Sequence, residues 1–376
     1  MRAYQSALAL VTGLGTVFAL PAASAAPLQQ HVIYAMNNSA DKNEVLAIRE
    51  DASVNTGYTS NSYATGGRGS GGVTDPLGAQ GSVVLSQDHT LLFAVNAGSG
   101  DISVFHVQNE FLQLVGTTPS GGSSPVAVAQ WGNLLYVVNA GGYGSVSAFQ
   151  ITSSGALQPI SNSTVNLNGD LGGASSIAVR PDGKELVVIE RGFDNINTFP
   201  ILADGKLGPI VVNHSSAPGA FSASFDPSGT LFVSETGAAG VANASAISSY
   251  TITGSGALSV VTQSLPTYGN ANCWNAITPD STHIYVSNAG SSTISGFNIS
   301  ATGALTPIGS TTVGTNPAGS TNIDIAISSD GRYLYSLDSG TGAVSIFSIN
   351  KDGALTLLAD PVVFGASTGI NGIATL

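Results

Sequence analysis

Two carboxylates occupy equivalent places in a repeating phrase. "ELVVIERGFDNINTF" (185–199) carries Glu190 and "LFVSETG" (231–237) carries Glu235, where the closely similar "LLYVVNAGGYGSVSAF" (134–149) has Asn139. Two carboxyl groups in a partly dry cavity drive their proton affinities apart, so that one can serve as acid and the other as base. Glu235 is therefore the candidate general base and Glu190 its partner acid. Asn96, Asn139, Asn288 and Asp338 stand at the same point of other copies, and the asparagines with Arg68 could polarise a carbonyl. Asn and Asp at strand ends also cap turns through side-chain bonds to the backbone, which is the plainer role for the asparagines.

These residues are positioned by a repeat. An apolar strand closing on a small polar group recurs in seven copies, with Asn37, Asn96, Asn139, Glu190, Glu235, Asn288 and Asp338 at the key place. The copies lie roughly fifty residues apart, a period typical of propeller blades. Most follow a strand and a tight turn ("RPDGK", "DPSGT", "TPDST", "SSDGR"), a hairpin signal. A strand ending on an aromatic comes next, then a second turn ("ADGKL", "GSGAL", "ATGAL", "KDGAL") into a fourth strand. The pattern predicts an all-β, seven-bladed β-propeller of four-stranded antiparallel blades. "HVIYAMNN" reads as a second strand lacking its first, and "INGIATL" as a first strand with nothing after it. Joined, they complete one blade from both termini and close the ring without an open edge.

In such blades the polar strand ends and the long connections share one face, around the mouth of a central channel. Two insertions fall there: "GGRGSGGVTDPLGAQG" (66–81), bringing Arg68 and Gln80, and "GAAGVANASAI" (237–247). The starts of the first strands add Ser175, Phe221, Cys273, Trp274, Asn275 and Asp324. A small-molecule ligand or sugar would sit in this funnel, with Phe221 and Trp274 as apolar contacts; core packing is the bland reading of Trp274, and of Cys273 as a small hydrophobe. No histidine falls near Cys273 in register. "GASTG" (365–369) matches G-x-S-x-G but precedes a strand, so it is no nucleophile elbow. No metal-binding, phosphate-loop or calcium-loop pattern occurs, and no cofactor or metal is expected.

Composition narrows the setting. Met1 and Arg2, an apolar run and "PAASAAP" form a secretory signal peptide over residues 1–25, leaving 26–376 as a single propeller domain. With no other apolar stretch of that length, no transmembrane segment is expected, and the product is secreted: extracellular, periplasmic or cell-surface associated. A net charge of −12 with only 9% charged residues excludes nucleic-acid partners. One cysteine excludes an intramolecular disulfide, and a monomer is expected. Asn37, Asn162, Asn213, Asn243 and Asn298 open glycosylation sequons, which matter only in a eukaryotic host.

"GGRGSGG…LGAQGSVVLS", "LLFAVNAGSGDISVF", "SETG", "NCWNAIT" and "STISGF", in this order, resemble the lactonase family of seven-bladed propellers. That family includes 6-phosphogluconolactonase-type enzymes and 3-carboxymuconate cyclases, and the similarity spans residues 26–376. It is closer still to an exported, lactonase-like subgroup. The resemblance implies a hydrolase or isomerase of a lactone-type molecule in the funnel. It also marks departures: Ser175 stands where the enzymes have a histidine, Asn195, Phe221 and Ala289 where they have arginines, and Trp274 where they have a glutamate. Only the acid at Glu235 is kept. The resemblance therefore implies an exported lactonase-like propeller that does not take the family's anionic substrates. The alternative is a non-catalytic binding or cell-surface adhesion propeller, in which Trp274 matters more than the glutamates.

Overall fold

The computed structural model describes residues 31–51, 53, 57–108, 111–170 and 172–376. The expected leader, 1–25, lies outside them. The turn at Pro181–Gly183 folds a first strand, Ala174–Val179, back onto a second, Glu185–Glu190. Asp182 shapes this turn by accepting the Lys184 amide at 3.1 Å, and Gly183 takes a φ of 71° that a side chain would oppose. A third strand, Asn195–Pro200, and a fourth, Val211–His214, complete an up-and-down sheet.

Seven such sheets form the expected propeller. The innermost strands touch one another in a closed cycle around the axis. Second strands such as Leu91–Asn96 and Glu185–Glu190 are buried along their whole length, because neighbouring blades cover both faces. Fourth strands lie outermost and alternate; Leu305–Thr315 shows buried residues separated by exposed ones. Blade 3 departs from the regular plan. Its outer strand is split into Leu157–Pro159 and Val165–Asn166, both pairing with Ser145–Ile151, across a turn in which Asn162 has a φ of 56°.

Ring closure follows the sequence pattern. Asn371–Thr375 pairs antiparallel with Val32–Met36, setting Ile33 against Thr375 and Ala35 against Ile373. It becomes the inner strand of blade 1, whose other strands are Glu44–Glu50 and Tyr58–Ala64.

In blades 4 to 7 the second turn also fastens the blade to its neighbour. Gly205, Gly256, Gly303 and Gly353 all have φ near 80°. Their carbonyls accept hydroxyl bonds from the preceding blade: Tyr136 at 3.0 Å, Thr198 at 2.7 Å, Ser249 at 2.8 Å and Tyr285 at 2.9 Å. Glycine is required for the turn, and the turn aims its carbonyl sideways.

Candidate functional site

The polar ends of the second strands are clasps. They bond the facing third strand, and Asn139, Glu190, Glu235 and Asp338 also bond the connection entering their blade. Asn96 donates to Asp101 Oδ1 at 2.6 Å and Ser103 Oγ at 2.7 Å, and accepts from Asn43 Nδ2 at 2.8 Å. Asn139 reaches Ser145 and the Ser120 carbonyl; Asn288 reaches Thr293 and Ser295. Asp338 accepts from Asn316, Ser336 and Ser345, and burial raises its carboxyl to about 7.

Glu190 and Glu235 serve the same purpose, which explains why these two copies carry carboxylates. Glu190 accepts from the Asn168 amide at 3.1 Å, the Asn168 side chain and Asn197 Nδ2 at 2.6 Å. Glu235 accepts from Ser215 Oγ at 2.7 Å, the Ala217 amide at 3.1 Å and Ser248 Oγ at 2.8 Å. In both places every partner is a donor, so an acceptor-only group fits where an amide would oppose a donor to a donor. Burial raises the Glu235 carboxyl above its ordinary range despite these bonds. Both residues are 0% exposed and share no partner. The sequence predicts that they face a common cavity; the structure instead seals each inside its own blade, because the incoming connections close over them.

The funnel expected at the mouth holds the first insertion. Residues 75–81 lie on the axis, since they bond the inner strands of five blades. Asp75 accepts from Asn371 of blade 1, the Gly81 carbonyl from Val128 of blade 3, and Gln80 donates its amide to the Ser175 carbonyl of blade 4. The Ala79 carbonyl accepts from Trp274 Nε1 of blade 6 at 3.0 Å, and Gln80 Nε2 bonds the Asn275 carbonyl at 2.8 Å and Asp324 Oδ1 of blade 7 at 3.4 Å. We call this segment the plug.

The inner strands are shaped to receive it. In six blades the pairing skips one residue near the strand's start: Val126, Ser175, Phe221, Cys273 and Gly372 at the second place and Asp324 at the third. Bulges of this kind re-aim a side chain. Asp324, with a φ of 48°, is the one ionised-type residue among the six and the only one besides Gly372 in the left-handed region.

Four ionisable groups lie around the plug. Asp75 is half-buried; burial raises its carboxyl to about 7, opposed by Asn371, the Arg191 charge and the Gly78 and Ala79 amides. Asp324 is buried, and desolvation together with the Asp75 charge raises it to about 8 against bonds from the Ile325 and Ile373 amides and Gln80. Arg191 is exposed and lies over the Phe221 ring at 5.8 Å, while Phe221 packs edge-on against Trp274 at 5.1 Å. A Cβ on Gly78 would run into the guanidinium, so glycine lets plug and arginine approach. Burial pushes the Cys273 thiol far up, making it an inert neighbour. Among the described residues no three His, Cys, Asp or Glu side chains gather as a metal site.

Of the residues picked out by sequence, the structure brings Gln80, Phe221 and Trp274 together at the mouth, with Ser175, Cys273, Asn275 and Asp324 from the same strand starts. Phe221 and Trp274 are 3% and 1% exposed, so they form the floor beneath Arg191 and present no stacking surface. Arg68 is exposed over blade 2, held through its backbone to Gly98 and Ser99. Asn96, Asn139, Asn288, Asp338, Glu190 and Glu235 are in the clasps. Sequence reasoning passed over Asp75 and Arg191. The signal available was that Asp75 is the sole acid of the 66–81 insertion.

No protein-family model and no curated protein matches the chain. Solved structures do. A candidate 6-phosphogluconolactonase from Bacteroides fragilis is 20% identical over 94% of this chain and 100% of its own, with a TM-score of 0.66. A periplasmic gluconolactonase from Pseudomonas aeruginosa is 16% identical over 91% and 98%, with a TM-score of 0.67. Kuenenia stuttgartiensis hydrazine synthase is 20% identical over 79% and 90%, with a TM-score of 0.61. Identities this low establish the shared fold, and a fold hosting names this different leaves function to the site.

Proposed function

We propose that this protein is an exported, lactonase-like hydrolase that opens an uncharged lactone at the channel mouth, with Asp75 as general base and Arg191 as the group that polarises the carbonyl. The observation that carries this reading is the plug on the propeller axis, where Asp75 is bonded to Asn371 and the Gly78 backbone lies against the Arg191 guanidinium, whose charge acts on a carboxyl that burial raises to about 7. A base works best when its proton affinity lies near the working pH. Asp75 takes a proton from water as the oxygen attacks the carbonyl carbon. Arg191 balances the negative charge on the tetrahedral oxygen. The ring C–O bond then breaks, and the proton held on Asp75 returns to the leaving oxygen, giving a hydroxy acid.

An uncharged substrate follows from the charges. Arg191 is the one cation whose field acts on Asp75 among the described residues, and Asp75 with Asp324 offsets it. A phosphate or second carboxylate would find no free partner there. The gluconolactonase name of one structural neighbour, and the leader-like residues 1–25, agree with an exported enzyme of this kind. The sugar-stacking role of Trp274 and Phe221 has no support in their burial.

The test is lactone hydrolysis by the purified protein, corrected for spontaneous opening, beside Asp75→Asn. Turnover of glucono-δ-lactone that falls at least a hundredfold in the variant supports the reading. Equal rates in both proteins overturn it.

A further inference from the structure

The 66–81 insertion that ends in the plug is long and rich in glycine, yet its one acid must be held in a fixed relation to Arg191. Its attachments are unequal. At the Asp75 end the bonds are to Asn371 at 3.1 Å and to the plug's own Gly78 amide at 3.0 Å. At the other end Gln80 reaches three blades at once, its side chain through the Asn275 backbone and Asp324 and its amide through the Ser175 carbonyl. Asp324 is itself fixed from two further directions, by the Ile325 amide at 3.0 Å and by the Ile373 amide of the ring-closing strand at 3.3 Å.

We propose, resting on the reading above, that Asp324 is the positioning residue of this site: its carboxyl ties Gln80 to blade 7 and blade 1, and so holds the plug where Asp75 meets Arg191. A left-handed backbone and complete burial are costly for an aspartate, and the bulge supplies both for no evident local gain. The charge of Asp75 on the plug acts on Asp324 of blade 7 and Cys273 of blade 6, and that of Arg191 on blade 4 acts on Asp75 and Cys273. Cys273 stays a thiol. Asp324 keeps its proton while Asp75 loses its own, so the pair carries one negative charge near neutral pH and a second only above about 8.

The experiment compares Asp324→Asn and Asp324→Ala with the wild-type chain. Asparagine carries the charge of the neutral acid and keeps an oxygen for Gln80 and the Ile325 amide, while its amide nitrogen opposes the Ile373 N–H, so a lower Tm accompanies it. It should keep kcat at pH 7 within about threefold while removing the inflection in the pH–rate profile near 8. Alanine removes the tether of Gln80 to blade 7 and leaves those to Asn275 and Ser175, so the plug loosens and kcat should fall at least tenfold with less change in KM. The amides of Ala79 and Gln80 should then exchange hydrogen faster, without faster exchange in the second strands. A purely structural Asp324 would lower Tm and leave the profile and the plug's exchange unchanged, and that result overturns the proposal. The exchange measurement needs no turnover. Should Asp75→Asn prove as active as wild type, the catalytic reading falls, while protection of the plug still decides whether Asp324 holds it.

Discussion

Asn371 Nδ2 donates to Asp75 Oδ1 at 3.1 Å across 296 positions of sequence. The bond joins the strand that closes the ring to the segment that fills its centre. The site thus exists only when the propeller is complete, and its acid responds to how the ring is closed.

Glu190→Gln and Glu235→Gln should behave as stability variants. Each puts an amide against donors, and an unsatisfied buried group costs about 1–3 kcal/mol. Thermal melting should show a lower Tm, with lactone turnover per folded molecule unchanged. Lost turnover at wild-type Tm would return the glutamates to the chemistry.

Stability should decline toward alkaline pH. Asp75, Asp324 and Asp338 hold protons in the fold up to about 7, 8 and 7, against an ordinary value of 3.8. Between 3.8 and those values the folded state binds more protons than the unfolded one, so raising the pH through this window destabilises it. Urea midpoints should be higher at pH 5 than at pH 8.5, and Asp338→Asn should flatten the difference. A midpoint that rises with pH would contradict the assignment.

Gly78→Ala should separate geometry from folding. The new methyl displaces the Arg191 guanidinium, and the positive φ adds a conformational cost of about 1 kcal/mol. Kinetics should show kcat reduced at least tenfold with Tm within a few degrees of wild type. Unchanged kcat would mean that Arg191 does not polarise the substrate.

Trp274→Ala should unfold the mouth. The indole is 1% exposed, donates to the Ala79 carbonyl at 3.0 Å and supports Phe221. Losing a buried tryptophan costs about 3–5 kcal/mol. Calorimetry should register that loss, whereas a tryptophan serving only to stack ligand would leave Tm near wild type.

How much of this was legible in the sequence depends on the range of the interactions. The Pro-Asp-Gly turns, the apolar second strands and the half-blades at 32–36 and 371–375 are written in local spacing, and the fold follows from them. The polar ends were visible as positions, but their role was not. Whether Glu190 faces a cavity or the Asn168 loop depends on how the connection from blade 3 settles. Asp75 lay in an insertion with no periodicity, so nothing local places it beside Arg191 or Asp324. Phe221 and Trp274 stood in the right register, yet register does not tell that the plug and Arg191 lie over them.

The pairing of Val32–Met36 with Asn371–Thr375 also bears on how the chain is made. Blade 1 waits for its inner strand until residue 375 has been synthesised, so the ring cannot lock during translation of the preceding blades. Such long-range pairing slows folding. A chain that locks only on late closure leaves its earlier blades free to rearrange until the last strand arrives.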